Sequence, residues 1–156
     1  MTTTPIPAED NVFILHFAPL MKKITDEDFF ELCQLNPELR IESTAEGDLI
    51  IMPPAGCETG RRNFALIGLF YAWAIADGTG EGFDSSTVFT LPNGARRSPD
   101  LAWLKLSRWE ALTDKERRGF APLCPDFVIE LRSHTDSLSM LQEKMEEYIA
   151  NGAQPG

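Results

Sequence analysis

The sequence predicts an α/β fold: helices packed on a mixed sheet, with an α+β mixture of strand directions. Three observations lead there. Short runs at 39–52, 87–91, 101–106 and 127–131 are β-rich and bounded by Pro, Gly, Asn and Asp, as strands are. Segments at 25–35, 64–76 and 139–150 carry helical signals. The chain has 156 residues, 43% of them hydrophobic and 24% charged, the balance of one folded domain rather than a disordered tail or a fibre. Strands flanked by helices in a chain of this length argue for one sheet-centred domain.

Each element follows in order. Residues 1–19 read as a loose N-terminal arm, rich in Thr, Pro and acids at its start, with a short apolar segment from Val12 to Phe17. Residues 20–156 form the domain. Thr25-Asp26-Glu27-Asp28 is a helix start, and Asn36-Pro37 ends that helix. Leu39 to Met52 reads as a hairpin around Glu46-Gly47. Residues 55–63 read as a polar loop. Phe64 to Ala76 is apolar on nearly all sides, which predicts a buried helix. Thr87–Leu91, Leu101–Leu106 and Phe127–Leu131 are strands, the first followed by the turn Pro92-Asn93-Gly94. Ser107 to Glu110 and Thr113 to Glu116 both match a capping box. Ser139 to Ala150 is a helix with an apolar stripe through Leu141, Met145 and Tyr148, closed by Gly152.

Charge and cysteine content exclude several function classes. Fourteen Lys and Arg against 24 Asp and Glu give a net charge of −10. Such a chain is repelled by phosphate backbones at long range, which excludes a nonspecific nucleic-acid coat. A nuclease remains compatible if carboxylates hold a metal and a local basic patch holds the phosphates. Cys33, Cys57 and Cys124 are odd in number and form no CxxC, the pattern of a reducing, cytoplasmic compartment. The longest apolar run is too short for a membrane span, which needs ~20 residues. No GxGxxG, GxxxxGK[ST] or GxSxG is present, so nucleotide cofactors and a serine-hydrolase elbow have no support. His16 and His134 lie far apart, without zinc-ligand spacing.

Two carboxylates carry the chemistry. Asp100 enters one strand after Ser98-Pro99, and Glu130 lies within another. In neighbouring strands they converge on one face. Strand alternation puts Arg132 on the same face as Glu130. Two carboxylates ~4–5 Å apart repel strongly unless a cation sits between them, and hard oxygen ligands select Mg²⁺ or Mn²⁺. Asp126, the other Asp after a Pro, lies about 13 Å along the strand from Glu130 and reads as a turn residue.

Ser98-Pro99-Asp100-Leu101-Ala102-Trp103, Pro125 to Ser133, and Lys144 with Tyr148 and Gly152 together resemble the Uma2 family (DUF820) of the PD-(D/E)xK nuclease superfamily. Leu39-Arg40-Ile41-Glu42 with Gly47, Met52-Pro53-Pro54, and 83–100 fit the same family, so the resemblance spans roughly 20–153. It implies a restriction-endonuclease-like core of helix, three strands and helix, preceded by an N-terminal helix and hairpin. It also implies a Mg²⁺-dependent (or Mn²⁺-dependent) DNA endonuclease using metal-activated water. Asp100, Glu130 and the Leu131 carbonyl would hold the metal. The family's lysine falls at Arg132 or, from the following helix, at Lys144. Glu42 would be an auxiliary acid.

Arg61-Arg62 and Arg96-Arg97 are the candidate phosphate contacts. The family continues past the helix near Gly152 with a further strand. Here Ala153-Gln154-Pro155-Gly156 follows, so the Glu130 strand is expected to be an open edge, as in a C-terminally truncated member. That edge invites a homodimer. The alternative function is a catalytically inactive binding or assembly module.

Overall fold

The chain is described here from a computed structural model, which covers residues 12–16, 24–134 and 136–155. Most of the expected arm lies outside these residues. Its one described piece, β1 (Phe13–Leu15), is a strand.

Thr25 caps α1 (Asp26–Leu35) with a complete capping box: its hydroxyl accepts from the Asp28 N–H, and the Asp28 carboxylate takes the Thr25 N–H in return. Asn36 ends the helix as expected. β2 (Arg40–Ser43) and β3 (Leu49–Met52) form the hairpin, with Ile41 opposite Ile51. Gly47 turns it at φ +106°, a conformation that favours glycine.

After β3 the chain enters α2 (Cys57–Asp77), then β4 (Gly80–Asp84), β5 (Phe89–Thr90), β6 (Arg96–Arg97) and β7 (Leu101–Lys105). Two short helices follow, α3 (Leu106–Glu110) and α4 (Asp114–Arg118). β8 (Phe127–Ile129) and α5 (Leu138–Ala150) complete the described elements.

The strands form two antiparallel sheets, ordered β1-β3-β2-β6-β5 and β4-β7-β8. This differs from the single mixed sheet expected. The expected Thr87–Leu91 strand is paired only at Phe89–Thr90, and the turn at Gly94 (φ +89°) folds the chain back into β6. β6 then pairs with β2, while β4 and β7 pair separately. The one parallel contact between described strand regions is a bridge from Phe89 to Ala121. One core gathers Phe89, Leu91, Ala102, Val128 and Tyr148; a second gathers Phe29, Ile41, Leu49 and Val88.

Three local expectations are corrected. The loop at 55–63 is mostly helix, because α2 starts at Cys57 behind an extended Gly56. α2 is not buried: Phe70 is its one buried residue, set against Gly82 of β4, where an added Cβ would sit 3.1 Å from the ring. Ser107 caps nothing, because it lies inside α3, which starts at Leu106 with that N–H bound to the Thr79 carbonyl at 3.0 Å. Thr113 does form its box with Glu116.

Ser137 caps α5, and Gly152 at φ +112° follows its last turn. β8 is an edge strand of its sheet, and the Gln154 N–H reaches the Asp126 carbonyl beside it at 2.7 Å. No helix among the described residues is long and apolar enough to cross a membrane.

Candidate active site

The register of β7 and β8 builds the site. Leu101 lies opposite Ile129, so the next antiparallel step sets Asp100 opposite Glu130. Glu130 is therefore not inside a strand, as expected, but one residue past the end of β8. Residues directly opposite in an antiparallel pair share a face, with Cβ atoms about 4.5–5.5 Å apart. The Asp100 carboxylate accepts the Leu131 N–H at 2.7 Å and lies 3.4 Å from the Arg40 guanidinium.

Lys144 arrives from α5. Its Nζ donates to Glu42 Oε1 at 2.8 Å and lies 2.7 Å from Glu130 Oε1. Tyr148, one turn along α5, donates its hydroxyl to the same Glu130 oxygen at 3.1 Å. Glu130 Oε2 takes no hydrogen bond among the described residues. Glu42, 1% exposed in the middle of β2, also accepts the Ser98 N–H at 2.9 Å and pairs with Arg97 at 3.2 Å. Arg97 in turn pairs with Glu147 at 2.5 Å. The cluster thus ties β2, β6, the β7 entry, the β8 exit and α5 together.

Burial and charge divide the two glutamates. Burial pushes the Glu42 carboxyl up, but Lys144 and Arg97 outweigh it and hold the group below the usual carboxylate range. Burial pushes Glu130 up as well; Lys144 only partly offsets this, because Glu42 and Asp100 add negative charge. Burial alone would lower the Lys144 pKa, but Glu42 and Glu130 hold it above its ordinary value. An acidic proton on Tyr148 is held tightly, by burial first and by Glu130 second.

Asp100, Glu130, Leu131, Glu42 and Lys144 all line one cavity of about 790 Å³, with Arg40, Arg97 and Glu147. Arg132 does not join them. It is exposed, its carbonyl takes an Arg62 N–H at 3.3 Å, and its guanidinium turns to the Asp136 carbonyl. Strand alternation cannot carry it to the Glu130 face, because β8 ends three residues earlier.

Arg96 and Arg97 are not a phosphate-binding surface. Both are buried in β6, where Arg96 pairs with Asp26 at 2.6 Å and lies over the Phe29 ring. Arg61 and Arg62 sit in the first turns of α2 rather than in a loop. His134 lines the cavity, 3.5 Å from Glu58, and His16 contacts Asp48 at 2.9 Å. Asp126 accepts the Lys105 N–H at 2.9 Å and pairs with Arg108 at 3.0 Å, a structural role.

Sequence reasoning missed Arg40 as a cavity residue. Its Nε is buried without a partner among the described residues. The available signal was strand alternation: Arg40 stands two before Glu42 on β2, hence on the same face.

The donor set fits a hard divalent cation. Mg²⁺ keeps several waters and is held by one or two carboxylates, and Asp100 and Glu130 supply two. No group of three or more His, Cys, Asp or Glu among the described residues is placed to hold a metal ion.

Comparison with known proteins agrees with the fold. A crystal structure of "a putative nuclease belonging to DUF820 from Anabaena variabilis ATCC 29413" is similar at a TM-score of 0.65 and 18% identity, over 84% of this chain and 70% of that chain. No curated protein matches. Residues 26–156 match the profile of the Uma2 family, described as "Putative restriction endonuclease". A match over that much of the chain makes this protein a member of the Uma2 family.

Proposed function

We propose that this protein is a Mg²⁺-dependent (or Mn²⁺-dependent) endonuclease that hydrolyses DNA phosphodiester bonds in the cavity between Asp100, Glu130 and Lys144. One observation carries the reading: three elements distant in sequence deliver two opposed carboxylates and a buried ammonium to one open cavity. Asp100, Glu130 and the Leu131 carbonyl would hold the cation. When bound, such an ion polarises a phosphoryl oxygen and acidifies water.

The protein's own groups do the rest. Lys144 and Tyr148 both grip Glu130 Oε1, which leaves Oε2 for a cation. Glu42 anchors Lys144 and, through Arg97 and Glu147, fixes α5 against the sheet. Lys144 is then positioned to stabilise negative charge developing at the phosphate. Arg40 lines the cavity and pairs with Asp100, adding positive charge beside the first carboxylate.

The test is calorimetric titration of Mn²⁺ and Mg²⁺ into wild type and Glu130→Ala, followed by plasmid cleavage with Asp100→Ala included. Binding in wild type, lost in Glu130→Ala, with cleavage abolished by either substitution, is the expected result. Cleavage that survives both substitutions removes the mechanism.

A second reading has its own observation. The three central carboxylates already face cations of the chain: Asp100 faces Arg40, while Glu42 and Glu130 share Lys144. A closed ion-pair network of this kind suits an inactive binding or assembly module. A well-folded wild type that binds neither ion selects that reading.

A further inference from the structure

We infer that the exposed face of α2 is the interface of a two-fold homodimer in which the two α2 helices pack antiparallel. From Asn63 to Ala76 the helix carries no charged residue. Phe64, Gly68, Tyr71 and Ile75 recur at helical spacing and share one side. That side faces away from β4: Phe64 is 80% exposed, Tyr71 66% and Ile75 66%, while Phe70 holds the opposite side on the sheet.

The size of this face suits a second copy. At about 150–250 Å² per large aromatic, Phe64, Ile67, Tyr71 and Ile75 leave roughly 500 Å² of apolar surface uncovered. That lies at the upper end of the ~300–600 Å² of the largest patch on a typical monomer. Paired with the same face of a second copy it buries about 1,000 Å² in total, the lower bound of a specific interface.

Charge selects the occupant and its direction. Two copies that each carry −10 repel across most of their surfaces, so a charge-free face is where they can meet. In a parallel arrangement Arg61 and Arg62 would meet the same pair on the partner. An antiparallel arrangement centred between Gly68 and Tyr71 sets Phe64 opposite the partner's Ile75 and Gly68 opposite the partner's Tyr71. It brings Arg61 and Arg62 level with the partner's Asp77 and the negative C-terminal end of its helix. Gly68 has open space where a Cβ would stand, a notch that receives the facing ring. Such a contact is isologous and closes on itself.

The experiment is sedimentation equilibrium of the full chain at micromolar concentration, for wild type and for Phe64→Glu with Tyr71→Glu. Wild type is expected at twice the 17.4 kDa chain mass. The double variant is expected to be monomeric, with the dissociation constant raised by ~30-fold or more, the effect of losing a hot spot. Both positions are exposed, so an unchanged circular-dichroism spectrum and melting curve should accompany the change.

A second measurement does not depend on the charged variant. Phe64→Cys with Ile75→Cys, in a Cys57→Ser background, should form an intermolecular disulfide on mild oxidation. A monomeric wild type overturns the proposal and leaves the face to a different protein. A dimer that survives Phe64→Glu with Tyr71→Glu, or the absence of the cross-link, overturns it in favour of another surface.

Discussion

Lys144 is the residue on which the cavity's charge balance turns. It contacts both Glu42 and Glu130, each almost fully buried. Removing one partner of a buried pair leaves uncompensated charge and costs ~3–5 kcal/mol. Lys144→Met should destabilise the chain by about that amount in urea unfolding, with Lys144→Arg recovering part of it. The pH dependence supplies a second readout. Glu42 has a folded pKa below its ordinary 4.5, with Lys144 the largest lowering partner. Its contribution to stability is therefore full above 4.5 and is lost as pH falls through the folded value. In Lys144→Met this acid-side loss should shrink, because Glu42 then titrates closer to its unfolded value. Asp100, Glu130 and Lys144 were legible in the sequence because they sit in recognisable local contexts. Arg132 was misplaced because alternation holds only while a strand lasts, and β8 stops at Ile129. Arg40 was missed because its one signal, alternation with Glu42 along β2, says which face it shares and not that the face borders a cavity.

At the scale of elements, the sequence marks ends better than it marks burial. The capping patterns at Thr25 and Ser107 read alike, yet only Thr25 caps a helix. The difference is tertiary: Thr79, at the entry to β4, takes the Leu106 N–H, and α3 starts there, two residues before a Ser107 cap would start it. Thr25→Ala should therefore cost ~0.5–2 kcal/mol, the usual loss of an N-cap, whereas Ser107→Ala should lie within about 0.5 kcal/mol of wild type. Chemical denaturation of the two variants side by side checks the contrast; equal losses would refute it. α2 shows the reverse limitation. An all-round apolar helix implies burial, but composition does not say whether the same chain supplies the covering surface. β6, two residues of arginine, has no strand signal in sequence. It exists because Ser43 of β2 and Phe89 and Thr90 of β5 pair with it.

If the chain binds DNA as proposed, the whole molecule limits how the duplex can be held. Against the net charge of −10, half of the basic side chains in the described residues are already committed to ion pairs, Arg40 with Asp100 among them. Arg96 faces Asp26, Arg97 faces Glu42 and Glu147, Arg108 faces Asp126, Lys115 faces Glu27, and Lys144 faces Glu42 and Glu130. Near the cavity, the side chains that carry no ion pair among the described residues are Arg61, Arg62 and Arg132. Arg62 already reaches the backbone of Arg132, so the three form one basic edge beside α2. Each phosphate neutralised contributes about −0.9 to the slope of log affinity against log salt. If this edge supplies the phosphate contacts, the slope per bound chain should be shallow, near −3 or less in magnitude. Arg61→Ala with Arg62→Ala should reduce it by roughly two contacts' worth, about 1.8. Anisotropy of a labelled duplex, titrated with protein at several salt concentrations in Ca²⁺ to suppress cleavage, measures both slopes. A steep wild-type slope, or one unchanged in the double variant, would move the DNA-binding surface off this edge. The acidic body makes the comparison decisive, since it offers no diffuse positive field to mask the loss of two arginines.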